Sequence, residues 1–159
     1  MTASVRLDAA DIRILRIMQR DASLAVAEIA REAGMSQTPA WRRIKRLRDA
    51  GVISAIVAII DSKAVGLGFI AYCFVKLAQP SRVNIETFDR MVESWPEVLV
   101  CDRITGSADY LMKVVAANIE AYDAFLRQKL LDSEMVADVE SRIVVSSVKS
   151  VLALPLADV

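Results

Sequence analysis

The chain contains no histidine among its 159 residues. That removes His-based general acid–base catalysis, Ser–His and Cys–His nucleophile pairs and the commonest metal ligand, so neither an enzyme nor a metal centre is expected, and no cofactor. Cysteine is nearly as scarce. Cys73 and Cys101 are the two copies, each inside a strand-like apolar run and without CxxC spacing, which reads as two buried thiols, not a disulfide or redox pair. Long apolar runs are missing too: hydrophobic residues make up 55% of the chain, yet stretches such as Ala55 to Ile60 are strand-sized, far short of the roughly 18 residues a membrane span needs. No basic leader precedes a long apolar core. A cytoplasmic protein without a membrane partner is therefore expected.

An excess of one charge is also lacking, since 20 Lys and Arg face 20 Asp and Glu, and taken whole this argues against a nucleic-acid partner. The distribution along the chain points the other way. Through Ile60 ten cations face six acids, and from Asp61 onward ten face fourteen. A basic first third on an acidic remainder implies two modules with different partners, in a chain long enough for two small domains.

What is present is concentrated between Met35 and Gly51, MSQTPAWRRIKRLRDAG, with five cations packed into Arg42 to Arg48. Helical spacing gathers Ala40, Trp41, Ile44 and Leu47 on one side and Thr38, Pro39, Arg42, Lys45 and Arg46 on the other. Ser36 is placed to cap the helix through its hydroxyl, Pro39 falls in the first turn where a missing N–H breaks no bond, and Gly51 follows the last turn. Before it, AVAEIAREAG puts Val26, Ile29, Ala30 and Ala33 at helical spacing and ends on Gly34. Two short helices joined through a glycine-containing turn, the second one basic, form the helix-turn-helix pattern, whose second helix enters the DNA major groove. An earlier helix is capped by Asp8, carries Asp11 near its positive end and buries Ile12, Leu15 and Met18, with Ile14 and Ile17 broadening that face.

After Gly51 the pattern becomes extended. Val52 to Ile60 reads as a strand or ribbon, and Gly66 and Gly68 close a hinge. Phe69 to Ala78 is then predicted as a strand. A helix capped by Asn84 follows, carrying Ile85, Phe88, Met91, Val92 and Trp95. Val98 to Thr105 and Tyr110 to Ala116 read as strands around the Gly106-Ser107-Ala108 turn. A helix capped by Asn118 carries Ile119, Tyr122, Phe125, Leu126 and Leu130, Val136 to Lys149 reads as extended, and Val151 to Leu156 as a last strand. The βαββαβ order is the ferredoxin-like split βαβ arrangement. The fold class is thus α+β, an N-terminal helix-turn-helix over 1–53 joined by a β hinge over 54–68 to a ferredoxin-like domain over 69–159. Strands apolar on both sides need a second cover, and a palindromic DNA site needs paired helices, so a homodimer is expected.

These residues resemble the Lrp/AsnC family of transcriptional regulators along nearly the whole chain. The matching pieces are Leu7-Asp8 with Asp11 and Leu15, Ala30 to Ser36, Thr38-Pro39, Arg43-Ile44 with Arg46-Leu47, Gly51-Val52-Ile53, and Gly106 followed by Asp109-Tyr110-Leu111. The resemblance implies that the N-terminal part is a winged helix-turn-helix DNA reader, joined to a ferredoxin-like, amino-acid-sensing domain that dimerises, with octameric rings of four dimers as a further assembly. It implies an effector held near the Gly-x-x-Asp-Tyr turn, which makes Thr105, Gly106, Ser107, Asp109 and Tyr110 the effector candidates. Three positions depart from the pattern: Ala25 replaces a polar cap, Ser107 stands where an acidic residue is common, and Ser146-Ser147 replaces an acidic position. The expected function is a sequence-specific regulator of double-stranded DNA answering to an amino acid or related effector. Its DNA-binding residues are Ser36, Gln37, Thr38, Pro39, Arg42, Arg43, Lys45 and Arg46, with Thr38 and Arg42 as base-edge readers and Lys45 on phosphate. An architectural DNA wrapper without an effector is the other expectation.

Overall fold

The computed structural model describes residues 6–156. Two compact units emerge, one holding the chain up to Ala58 together with the segment from Lys149 on, the other Ile59–Val148. Along the chain, the first unit therefore occurs in two pieces.

In the first unit, α1 (Ala9–Arg20) opens with a reciprocal cap: the Asp11 N–H donates to Asp8 Oδ1 at 2.8 Å and the Asp8 N–H to Asp11 Oδ2 at 3.1 Å. Helix α2 (Val26–Glu32) starts at Ala25, which has no side-chain oxygen to offer. The Glu28 carboxylate makes half of the missing cap by accepting the Ala25 N–H at 3.0 Å. Gly34 ends this helix at φ +70°, a conformation costly for residues with a Cβ, and so lets the Met35 N–H reach the Ala30 carbonyl at 3.0 Å and its own N–H reach Arg31 at 3.2 Å. The chain is thereby turned into α3 (Gln37–Asp49). Ile14, Leu15, Ile29, Ala33, Ile44 and Leu47 form the centre of the shared core, with Met35, Val52 and Leu156 packed against it.

Two expectations change here. The stretch Val52 to Ile60 forms no strand ladder within the chain: the Val52 and Ile53 N–H groups donate to the Leu47 carbonyl at 2.9 and 3.1 Å, and Val57, Ile59 and Ile60 are exposed. β-branched residues favour extended backbone, but a ladder needs a partner strand, and none lies alongside among the described residues. Val151 to Leu156 is not a strand either. It runs against α1, where the Leu154 N–H donates to Gln19 Oε1 at 2.6 Å and the Leu156 carbonyl accepts from Arg16. Leu156 finds its apolar cover on the helices instead.

In the second unit the elements run β1 (Phe69–Leu77), α4 (Arg82–Glu93), β2 (Val98–Arg103), β3 (Tyr110–Ala116), α5 (Ile119–Phe125) and β4 (Val136–Ile143), and the sheet order is β2-β3-β1-β4. All three pairings are antiparallel, the ferredoxin-like arrangement. Ala71, Cys73, Val75 and Leu77 of β1 and Tyr110, Met112 and Val114 of β3 alternate toward a core completed by Phe88, Trp95, Tyr122 and Phe125. Cys73 is buried and Cys101 half-buried, both as free thiols. Helix α4 is capped by Ser81, whose hydroxyl accepts the Asn84 N–H at 3.2 Å. Asn84, expected as the cap, instead donates from its side chain to the Gln79 carbonyl at 2.8 Å. Asn118 caps α5 as expected, accepting from Ala121 at 2.9 Å, and the helix widens into a π-helical turn over Leu126–Leu131. Strand β4 stops at Ile143, six residues before the expected Lys149.

Candidate nucleic-acid interface and effector turn

Burial of Ala40, Ile44 and Leu47 fixes which side of α3 is free. Ser36, Gln37, Thr38, Pro39, Arg42, Lys45 and Arg46 are exposed, and Arg43 is half-buried. Trp41, expected on the apolar side, is 52% exposed. At one helical step from Ala40 it falls on the flank of the buried stripe, on the side of Lys45 and Arg48. Ser36 precedes the helix in extended conformation, yet its hydroxyl makes no capping bond. The side chain expected to cap therefore remains exposed at the start of the free face.

The cations on that face differ in their partners. Lys45 Nζ meets the Asp49 carboxylate one turn on at 2.7 Å. Arg43 Nη1 meets Asp8 at 2.7 Å and Asp11 Oδ1 at 2.8 Å, and Arg46 pairs with Asp11 Oδ2. Arg42 has no ion pair among the described residues and, with Pro39, Arg43, Arg46 and Asp8, lines an open hollow of about 300 Å³. The Asp11 N–H, and after it the Arg43 guanidinium, hold the Asp8 carboxyl down at about 2. The sequence placed Asp8 and Asp11 at a helix start but did not place them against α3. Two acids three residues apart, upstream of a basic helix, were the available signal.

In the second unit Thr105, Gly106 and Ser107 are exposed in the turn between β2 and β3, with Gly106 at φ +122°. The Ile104 N–H donates to the Asp109 carbonyl at 3.0 Å and closes the turn. Asp109 and Tyr110 lie behind it. The Asp109 carboxylate accepts the Leu77 N–H at 2.9 Å and Lys76 Nζ at 3.1 Å, which lowers its pKa, the Leu77 N–H contributing most. Tyr110 is buried in the core, its hydroxyl donating to Asp89 Oδ1 at 2.8 Å, and burial pushes it up to about 12. Asp89 is also paired with Arg103. These two line an open cleft of about 410 Å³ together with residues of α4 and β2, Trp95 and Val98 among its apolar lining. The structure thus brings Thr105, Gly106 and Ser107 together at the surface and places Asp109 and Tyr110 beneath as braces. Lys76, Asp89 and Arg103, which hold those braces, carry no signal in the sequence that marks them out.

A capped tri-helical unit with a basic third helix, joined to a ferredoxin-like sheet, defines an effector-responsive, DNA-binding transcriptional regulator. The profile of the Lrp/AsnC ligand binding domain matches residues 70–154, and that of a winged helix-turn-helix DNA-binding domain matches residues 7–54. The chain is 34% identical to a leucine-responsive regulatory protein of Rhizobium meliloti over 149 residues, covering 94% of this chain and 96% of the relative. It is 33% identical to the DNA-binding transcriptional activator DecR of Escherichia coli, covering 94% and 99%. Among solved structures, a transcriptional regulator of Neisseria meningitidis in complex with L-Met superposes with a TM-score of 0.90 at 33% identity, covering 94% and 97%. An AsnC family regulator of Agrobacterium tumefaciens does so with 0.89 at 37% identity, covering 94% and 97%. The chain belongs to the Lrp/AsnC family of transcriptional regulators.

Proposed function

We propose that α3 reads duplex DNA with Thr38 and Arg42 on base edges and Lys45 on phosphate, and with Ser36, Gln37, Pro39, Arg43 and Arg46 around them. The observation that carries this reading is the exposed Arg42, a cation of the free face with no anion partner among the described residues. A guanidinium can make a bidentate contact with a guanine edge, which gives Arg42 the geometry of a reader. The effector is an amino acid, the class bound by the Neisseria meningitidis relative. Its site is the turn Thr105-Gly106-Ser107: the positive φ of Gly106 frees backbone groups for a carboxylate, and Asp109 and Tyr110 fix the turn's position.

The working unit is a homodimer joined through the sheet face opposite the helices, where Ile70, Phe74 and Leu111 are half-buried and Tyr72 and Val100 exposed, with octameric rings as the larger assembly. Among the described residues no helix is long and apolar enough to cross a membrane. The protein acts in the cytoplasm by binding alone, without catalysis. A thermal-shift screen of the full chain against the twenty amino acids tests the effector class. One of them at about a hundred times its dissociation constant stabilises by about 2.7 kcal/mol and changes DNA affinity. A melting temperature indifferent to all twenty contradicts it.

A further inference from the structure

The basic helix does not present its formal charge. Asp11 divides its two oxygens between two arginines of α3: Oδ1 accepts Arg43 Nη1 at 2.8 Å, and Oδ2 pairs with Arg46 while accepting the Asp8 N–H at 3.1 Å. Asp8 gives the same Arg43 nitrogen two more contacts, at 2.7 and 2.9 Å. Capping requires one oxygen from each acid and no burial. Yet the Asp11 side chain is 1% exposed, enclosed by guanidiniums from another helix. A carboxylate this deep is tolerated only when paired, and losing either arginine to an outside anion would leave it partly uncompensated. Two carboxylates thus offset two of the cations on the rim of the free face, and Asp49 engages Lys45.

We propose that Asp11, together with Asp8, is a specificity-determining residue: it acts as an internal phosphate, holding Arg43 and Arg46 so that their charge adds little to sequence-independent DNA binding and discrimination falls to Thr38 and Arg42. The inference rests on α3 being the reading helix. Non-specific binding is made almost wholly of counterion release, with a slope of about −0.9 per phosphate neutralised. Removing one internal carboxylate without changing its shape frees a guanidinium to reach any phosphate. Binding to every sequence then rises, and the advantage of the preferred one shrinks.

The test uses the full chain as wild type, Asp8→Asn, Asp11→Asn and the double variant Asp8→Asn/Arg43→Gln. Two duplexes serve as probes, one enriched from a random pool by the wild type and one with that sequence shuffled. Asparagine caps a helix as well as aspartate, so Asp8→Asn keeps α1 and decides the matter if Asp11→Asn fails to fold. The expected result is a slope of log affinity against log salt steeper by about 0.9 per reading helix, so that affinity for the shuffled duplex falls further between about 50 and 200 mM salt, by about 3.5-fold for each reading helix and about 12-fold for a dimer. The preference for the enriched duplex falls with it. In the double variant the slope returns to the wild-type value, which a merely structural role for Asp8 would not produce. An Asp8→Asn chain that folds and keeps the wild-type slope and preference, or loses affinity for both duplexes alike, overturns this inference alone. A wild type that enriches no duplex overturns the reading of α3 and the inference with it.

Discussion

Asp8 shows how one side chain can serve two elements. It caps α1, and the Arg43 guanidinium from α3 meets the same carboxylate. Its pKa lies at about 2 against an ordinary 3.8, so the folded state keeps the charge where an unfolded chain would take up a proton. The stabilisation is accordingly complete above 3.8 and is lost as pH falls toward about 2. Melting temperatures of wild type and Asp8→Asn should therefore differ at neutral pH and converge through that acid window, and a difference that persists unchanged to the acid end contradicts the assignment. Asp109 works similarly in the second unit, joining the turn between β2 and β3 to β1 through Leu77 and Lys76. Its carboxylate is occupied internally, by Lys76 and the Leu77 N–H.

At the scale of elements, what repeats along the chain is legible in the sequence and what depends on a neighbour is not. The apolar spacing of α1, the glycine after α2, the Asn118 cap and the bounds of β3 all follow from local rules that the structure repeats. A helical wheel turns Trp41 inward because it treats every apolar residue alike, while the side of α3 that is buried is the one defined by Ala40, Ile44 and Leu47, with Trp41 on its flank. Ser81 and Asn84 are both good caps three residues apart, and choosing between them depends on where the loop leaves β1. At the turn between β2 and β3 the glycine is visible, but the braces on Asp109 and Tyr110 come from β1 and α4, distant in sequence. The turn between α2 and α3 supplies a direct check. At Gly34 a Cβ would meet nothing within 4 Å, so Gly34→Ala carries only the left-handed backbone cost. Denaturant titration should show a loss of about 1 kcal/mol, and no loss at all would mean that the turn relaxes into another conformation.

At the scale of the molecule, the sheet face and the free side of α3 are both open among the described residues. The sheet face carries exposed Tyr72, at 37%, next to Phe74, over whose ring the Arg142 guanidinium lies at 4.7 Å. If this face joins two copies, Tyr72→Glu places two like charges in an apolar interface and should shift sedimentation from a dimer toward a monomer while the fold survives. An unchanged sedimentation profile would put the interface elsewhere. The second surface is the free side of α3, on which the regulator account turns. Its most direct test is affinity of wild type and Arg42→Ala, measured by fluorescence anisotropy on the selected duplex and its single-base variants. The wild type should lose about 1–3 kcal/mol for each mismatched base pair it reads, and Arg42→Ala should become indifferent at one position. An Arg42→Ala chain with the affinity and base profile of the wild type would contradict it.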